Sequence, residues 1–282
     1  MTADIDLARD IDNYAVMGNP VAHSKSPLIH QAFAMETGER LHYQAILVPV
    51  GGFEAALSEF QQQGGRGLNI TVPFKEDAFG AMDELTPRAR EAGAVNTIWF
   101  EGGGRRHGDT TDGVGLIRDL HRQGVELAGS RLLILGAGGA VRGVVGELMA
   151  QRPHSLLIAN RTVSRARSLR ERFDAYPNIR ICGFDELAAA GRFDVIINAV
   201  PAGLTAALPP LPDDLARGCC CYDMVYGDAT TPFVAWAVEH GARTASDGLG
   251  MLVEQAAESF FIWRGVRPET VPVIDMLRRD EE

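Results

Sequence analysis

The sequence predicts an α/β protein of two domains: an N-terminal α/β substrate domain and a Rossmann-type, doubly wound dinucleotide-binding domain. Three observations carry this expectation. The chain has 282 residues, at the limit of what a single hydrophobic core supports, roughly 250–300 residues. Strand-like and helix-like segments alternate along it. From Arg131 to Ala245 several strand segments are continuous apolar runs, as expected of a parallel sheet covered by helices on both faces. One of them, Leu132-Leu133-Ile134-Leu135, runs straight into Gly136-Ala137-Gly138-Gly139-Ala140, a glycine turn placed where a helix would start. The expected boundaries are 1–111 plus 248–282 for the substrate domain and 112–247 for the dinucleotide domain.

The elements follow in order. Tyr14–Met17 is a short apolar strand ending at Gly18. Ser26-Pro27 opens a helix, with Ser26 as its N-cap and Pro27 in the first turn. Leu28, Ile29 and Phe33 give that helix an apolar face, and Gly38 stops it. Tyr43–Val48 is the next strand, Phe53–Gln63 a helix and Gly67–Thr71 a strand. Helical stretches follow near Phe74–Met82 and Pro87–Ala92. Val95–Phe100 and Arg106–Thr110, joined through Gly102-Gly103-Gly104, read as a hairpin. A helix over Asp112–Gln123 leads into the second unit. Its six strands fit at Arg131–Leu135, Ser155–Ala159, Ile179–Cys182, Asp194–Asn198, Cys219–Asp223 and Arg243–Ala245, the strand count of a complete dinucleotide fold. After Asp247-Gly248-Leu249-Gly250, Met251, Leu252, Ala256, Phe260 and Trp263 recur at helical spacing, and a last helix follows Pro268. With no strands left, these helices are expected to pack on the first domain.

Composition removes several classes of function. Hydrophobic residues are 46% and charged residues 23% of the chain, the proportions of a folded globular protein. The net charge of −10 argues against nucleic acid as a partner. Residues 1–12 hold several acids against the single Arg9 and lack a basic region followed by an apolar core, so no secretory leader is expected. The uncharged stretch Val195–Pro212 is broken by Asn198, Pro201, Pro209, Pro210 and Pro212 and cannot cross a bilayer as a helix. A cytoplasmic protein acting on a small molecule, as a monomer or homodimer, is the expectation. Cys219-Cys220-Cys221 would alternate between the faces of a strand and cannot converge on one metal. The His residues show no metal-ligand spacing, so no metal site is expected.

The glycine turn lets backbone N–H groups approach a pyrophosphate, and the helix N-terminus adds favourable potential. The spacing departs from G-x-G-x-x-G/A because Val141 holds the sixth position. Cofactor choice is read at the end of the next strand. There an NAD-binding fold places an acid for the ribose 2′-hydroxyl, yet Asn160-Arg161-Thr162 follows Ala159, with Arg165 one turn further on. A guanidinium forks onto a 2′-phosphate that a carboxylate would repel, so NADP is expected over NAD.

The first domain carries less generic signals. Ser24 and Ser26, in Asn19-Pro20-Val21-Ala22-His23-Ser24-Lys25-Ser26-Pro27, set two hydroxyls beside a helix start, a seat suited to a carboxylate. Asn69-Ile70-Thr71-Val72-Pro73-Phe74-Lys75 alternates polar groups on a strand end and then puts Lys75 at a helix start, where the helix dipole disfavours it. Gly93 to Thr97 and Asp109 to Gly113 add polar groups at element ends.

Taken together, these segments resemble the shikimate dehydrogenase family. The resemblance runs from Tyr14 to Ile274 and also includes Tyr222-Asp223-Met224-Val225-Tyr226 and Asp247-Gly248-Leu249-Gly250-Met251. It implies reduction of 3-dehydroshikimate to shikimate with NADPH, on the way to chorismate and the aromatic amino acids. It further implies that Lys75 and Asp112 are the catalytic pair. Ser24, Ser26 and Tyr226 would hold the substrate carboxylate, and Thr71, Asn96, Asp112 and Gln255 the ring hydroxyls and carbonyl side. Gly136, Ala137, Gly138, Gly139 and Ala140 would take the pyrophosphate. Asn160, Arg161, Thr162 and Arg165 would take the 2′-phosphate end, and Met224 and Gly248 the nicotinamide end. The sequence departs from the family at Val200-Pro201, where Thr and Ser are usual, and at Thr110, where Asn is common.

The chemistry supports the same pair. Hydride addition to a ketone develops charge on oxygen. A Lys ammonium can stabilise that charge and give up the proton, and an Asp beside it couples the two titrations. The implied arrangement predicts closure between the domains, with hinges near Thr111–Gly113 and Asp247–Gly250. Three other readings compete: a quinate/shikimate dehydrogenase using NAD, a non-catalytic metabolite sensor, and a methylene-tetrahydrofolate dehydrogenase. Arg161 with the serine pair opposes the first, the presence of both Lys75 and Asp112 the second, and the serine pair the third.

Overall fold

A computed structural model describes residues 5, 7, 8, 10–200 and 208–279. It divides into two compact units. One takes the described residues up to Gly115 and those from Val253 onward; the other spans Leu116–Leu252.

The first unit holds β1 (Asp12–Gly18), α1 (Ser26–Thr37), β2 (Leu41–Leu47), α2 (Phe53–Gln62), β3 (Gly67–Ile70), α3 (Lys75–Gly80), β4 (Glu84–Leu85), α4 (Pro87–Ala92), β5 (Thr97–Phe100) and β6 (Arg106–Asp109). Its six-stranded sheet runs β2-β1-β3-β5-β6-β4. β1 is parallel to both its neighbours, and β5 pairs antiparallel with β3 and β6. Because side chains alternate along a strand, β1 feeds two cores. Ala15 and Met17 join Ile46, Leu68 and Ile70 beneath Phe53, Leu57, Phe60 and Phe74, while Tyr14 and Val16 pack with Val21 and Tyr43 on the other face. Tyr14 there stacks on Trp263, ring centroids 4.7 Å apart.

The second unit continues with α5 (Asp112–Arg122), β7 (Arg131–Leu135), α6 (Gly139–Ala150), β8 (Ser155–Ala159), α7 (Val163–Arg172), β9 (Ile179–Cys182), β10 (Val195–Asn198), β11 (Cys220–Asp223), α8 (Pro232–Glu239) and β12 (Thr244–Ser246). Its sheet order is β12-β11-β10-β7-β8-β9, all parallel, the doubly wound order whose switch point lies between β7 and β10. Leu132 and Ile134 face one core and Leu133 and Leu135 the other, so every residue of this central strand after Arg131 is apolar and buried. The chain ends in α9 (Leu249–Arg264) and α10 (Val271–Arg279). The unit boundaries fall inside α5 and α9.

The cysteine run behaves as its alternation requires: Cys220 lies in one core, and Cys219 and Cys221 lie in the other. All four cysteines are free and buried. Among the described residues there is no cluster of metal-ligand type, and no helix is long and apolar enough to cross a membrane.

Two local expectations at α1 are corrected. Lys25, not Ser26, occupies the N-cap position, and no side chain caps the helix. Ser26 is the first helical residue and is buried, and its N–H reaches the Ser24 Oγ at 3.3 Å. Leu28 is 53% exposed; the buried stripe is Ser26, Ile29, His30, Phe33 and Ala34. The pattern misleads because Ser26 and His30 hold core-facing positions that a hydrophobic count passes over.

Candidate active site

In the first unit the site is built on strand ends. Gly18 closes β1 without a Cβ. A Cβ there would lie 2.3 Å from the Thr71 methyl, so the glycine lets Thr71 settle beside the strand. The Asn19 N–H bonds to the Val72 carbonyl at 2.9 Å and ties the Ser24–Ser26 loop to the Thr71–Lys75 segment. α3 begins at Lys75, whose carbonyl accepts the Val95 N–H at 2.9 Å. Lys75 Nζ donates to Asp112 Oδ2 at 2.5 Å, the two side chains being 18% and 10% exposed.

The second carboxylate oxygen is also held. Asn96 Nδ2 donates to Asp112 Oδ1 at 2.9 Å and reaches the Thr111 and Gln255 oxygens at 3.0 and 3.3 Å. The orientation of Asn96 is fixed because its Oδ1 accepts the Thr111 backbone N–H at 2.8 Å and the Thr97 hydroxyl at 2.9 Å. Thus Asp112 presents both oxygens as acceptors, and its partner ammonium meets it at the mouth of a paired polar cluster. Lys75, Asn96, Asp112 and Gln255 come together directly. Ser24, Ser26 and Thr71 lie in the same unit; Tyr226 lies in the other.

Polar residues outside the quoted motifs complete this cluster around Asn69 and Asp109. Asn69 joins Tyr43, His30 and Ser259. Burial raises the Tyr43 phenol well above its ordinary range. Asp109 receives Arg88 through two bonds, at 2.7 and 2.6 Å, and the Thr86 hydroxyl at 2.5 Å. It also accepts the Thr110 N–H at 2.7 Å, which anchors the segment leading to Asp112. Helical spacing offered one signal: His30 lies four residues after Ser26 and Ser259 four after Gln255, each on its helix's shared face.

In the second unit the glycine turn follows β7. Gly136 has φ 108° and its N–H bonds to the Ala159 carbonyl at 2.8 Å. A Cβ on Gly138 or Gly139 would meet nothing within 4 Å, so open space lies against both at the start of α6. Val141, at the departing sixth position, is fully buried in the core under α6. Past β8, Asn160 Nδ2 bonds to the Thr162 carbonyl at 2.8 Å. Arg161 and Arg165 are exposed and have no ion pair among the described residues. This is a fit for a dinucleotide carrying an extra phosphate: unobstructed backbone at a helix start, then two unpaired guanidinium groups. The Met224 N–H bonds to the Asn198 carbonyl at 2.8 Å. A Cβ on Gly248 would sit 2.5 Å from the Met224 carbonyl oxygen, so that position admits only glycine without a shift. Of the Val200-Pro201 departure, Pro201 and the following Ala202 and Gly203 lie outside the described residues.

Comparison with known proteins agrees along the chain. Residues 16–98 match the shikimate dehydrogenase substrate binding domain, residues 119–206 the shikimate/quinate 5-dehydrogenase family, and residues 248–277 the shikimate 5′-dehydrogenase C-terminal domain. A shikimate dehydrogenase (NADP(+)) of Alkalilimnicola ehrlichii is 59% identical over 95% of this chain and 98% of its own. Among solved structures, an Ael1 enzyme from Pseudomonas putida is 46% identical, covers 94% of this chain and 98% of its own, and superposes with a TM-score of 0.88. A shikimate 5-dehydrogenase from Thermus thermophilus, in complex with NADP(H) and shikimate, is 32% identical with a TM-score of 0.84, covering 95% of this chain and 99% of its own.

Proposed function

The chain belongs to the shikimate dehydrogenase family, and on that footing we propose how it performs the NADPH-dependent reduction of 3-dehydroshikimate to shikimate. The observation that carries the reading is the Lys75–Asp112 ion pair at 2.5 Å, with Asn96 on the other carboxylate oxygen.

When bound, NADPH supplies the hydride to the carbonyl carbon. Lys75 Nζ stabilises the charge that develops on the carbonyl oxygen and donates the proton that completes the hydroxyl. Asp112 holds Lys75 in place, and the proton belongs to the coupled pair rather than to either group alone. In shikimate oxidation the same pair takes the proton back. Ser24 and Ser26 seat the substrate carboxylate with Tyr226. Thr71, Asn96, Asp112 and Gln255 meet the ring oxygens. Gly136, Ala137, Gly138, Gly139 and Ala140 receive the pyrophosphate; Asn160, Arg161, Thr162 and Arg165 the 2′-phosphate end; Met224 and Gly248 the nicotinamide end. Each chain carries every residue this reading uses, so a monomer or homodimer suffices. Four free thiols fit a reducing compartment, and we place the enzyme in the cytoplasm.

The test is absorbance at 340 nm with 3-dehydroshikimate and each nicotinamide nucleotide in turn. NADPH should be consumed, with kcat/KM for NADH lower by about 10-fold or more, the worth of a charge-assisted contact. Absence of oxidation with either nucleotide would overturn the reading.

A further inference from the structure

The chain enters α5 at Asp112 through two peptides, each held by a different side chain. The Thr110 N–H bonds to Asp109 Oδ1 at 2.7 Å, and the Thr111 N–H bonds to Asn96 Oδ1 at 2.8 Å. Asp109 also reaches Asn96 directly, because its own carbonyl accepts the Asn96 N–H at 3.0 Å. Asp109 thus grips both parts of the chain that meet on Asp112: the segment that carries Asp112, and the residue whose amide donates to Asp112 Oδ1. Asp109 itself takes no part in the reaction proposed above.

A carboxylate can serve in this way only if it cannot turn. The Asp109 side chain is 4% exposed, so its charge needs partners within the protein. Arg88 supplies them. Its Nε and Nη2 donate to Asp109 Oδ1 and Oδ2 at 2.7 and 2.6 Å, a two-point fork that fixes the plane of the carboxylate. The Thr86 hydroxyl, at the N-cap of α4, donates to Oδ1 at 2.5 Å.

The guanidinium is fixed in turn from α9. Arg88 Nη2 reaches Glu258 Oε1 at 3.2 Å, and Arg267 holds Glu258 Oε2 at 2.6 Å. Two cations and two carboxylates balance in this group. A lysine in place of Arg88 would keep the charge but could not fork onto Asp109. An ion pair that served only to brace the sheet could stand anywhere along β6. This one falls on the residue whose carbonyl and carboxylate both lead to Asp112.

We propose that Arg88 and Asp109 are positioning residues for the Lys75–Asp112 pair. The Arg88 fork locks Asp109, and Asp109 sets the approach of the chain to Asp112. This inference rests on the reading of Lys75 and Asp112 as the reacting pair. Its effect belongs to kcat, because a small displacement of a reacting group slows the chemical step steeply. NADPH, held by the second unit on that same reading, should bind as before.

The test uses the intact enzyme and 3-dehydroshikimate reduction with NADPH, on Arg88→Lys, Asp112→Asn and the double variant. Asp112→Asn should lower kcat about 10²-fold or more. Arg88→Lys should lower it about 3- to 10-fold, with KM for NADPH near the parent value. The double variant should be no slower than Asp112→Asn alone, because Arg88 acts through Asp112. Losses that multiply, or a rise in KM for NADPH alongside the fall in kcat, would mean that Arg88 serves the fold at large and would overturn the proposal. If Asp112→Asn keeps the parent kcat, the reading of the pair falls and this proposal with it. If Asp112→Asn lowers kcat and Arg88→Lys does not, this proposal alone falls. Arg88→Met, which loses the charge as well as the fork, should be slower than Arg88→Lys, and an equal or faster Met variant would overturn the role of the ion pair. Should Arg88→Met fail to fold, the Arg88→Lys cycle decides.

Discussion

The two units offer their ligands opposite kinds of surface. In the first, the polar groups near Lys75 are already engaged with one another: Asp112 is held on both oxygens, Asn96 on both ends of its amide, and Asn69 by Asn96 and by neighbours on β2, β5, α1 and α9. In the second, the glycine turn leaves open space at Gly138 and Gly139, and Arg161 and Arg165 stand exposed without ion pairs among the described residues. The ring hydroxyls and carbonyl of the substrate make several weak, directional contacts, so the groups that meet them must be fixed in advance, each residue restrained by the next. A phosphate is a strong anion, and backbone amides with exposed guanidinium groups suffice to hold it. The same molecule therefore uses rigidity where discrimination is geometric and exposure where it is electrostatic.

The sharpest way to break this comparison is at the centre of the restrained cluster. Lys75→Met should lower kcat by about 10²–10⁴-fold, the range of positioned acid–base catalysis, while NADP+ affinity, which we propose is set by residues of the second unit, stays near the parent value by titration calorimetry. Near-parental kcat would show that the engaged cluster is scaffolding. On the open side, replacing Arg161 and Arg165 together by Ala should lower kcat/KM for NADPH by at least about 10-fold and leave that for NADH almost unchanged, because charge-assisted contacts to a phosphate contribute about 1.5–3 kcal/mol each. An equal loss with both nucleotides would mean the arginines serve the fold.

The smallest expected effect concerns stability. His30 has its pKa lowered by burial from 6.5 to about 3. The unfolded chain therefore binds a proton between those values that the folded one refuses, and stability falls as pH falls below 6.5. At pH 5 the loss attributable to this group is about 2 kcal/mol. Urea unfolding at pH 7 and pH 5 reads it directly. His30→Gln should remove that component of the difference; an unchanged pH dependence would show that the ring titrates freely.

The proposed cofactor side was the more legible in sequence because its residues are contiguous: Leu132 to Ala140, and Ala159 to Arg165, are each one strand end and one helix start. All six strands of the second unit form at the expected places, shifted by a residue at most; β7, β8 and β10 are apolar runs that leave little choice. The restrained cluster was legible only at its rim. Lys75, Asn96 and Asp112 stand in recognisable motifs and Gln255 came only with the family resemblance, whereas His30, Tyr43 and Ser259 read as ordinary members of amphipathic elements. What makes them functional in character is convergence on Asn69 from three separated parts of the chain, a relation that no local pattern records. The two-residue β4 escaped for a simpler reason, since its pairing with β6 comes from the sheet rather than from Glu84-Leu85.

Neither compact unit is a single stretch of chain, since α5 and α9 each pass from one to the other. Gln255, Ser259 and Trp263 reach β5 and its neighbours only from the far end of the polypeptide. On the ribosome, every strand of the parallel sheet is therefore made before the earlier lobe receives its last wall. A nascent chain stopped short of Val253 would own a whole nucleotide lobe beside an unfinished substrate lobe. The order of completion thus runs opposite to the order of synthesis: the part begun first is the part finished last.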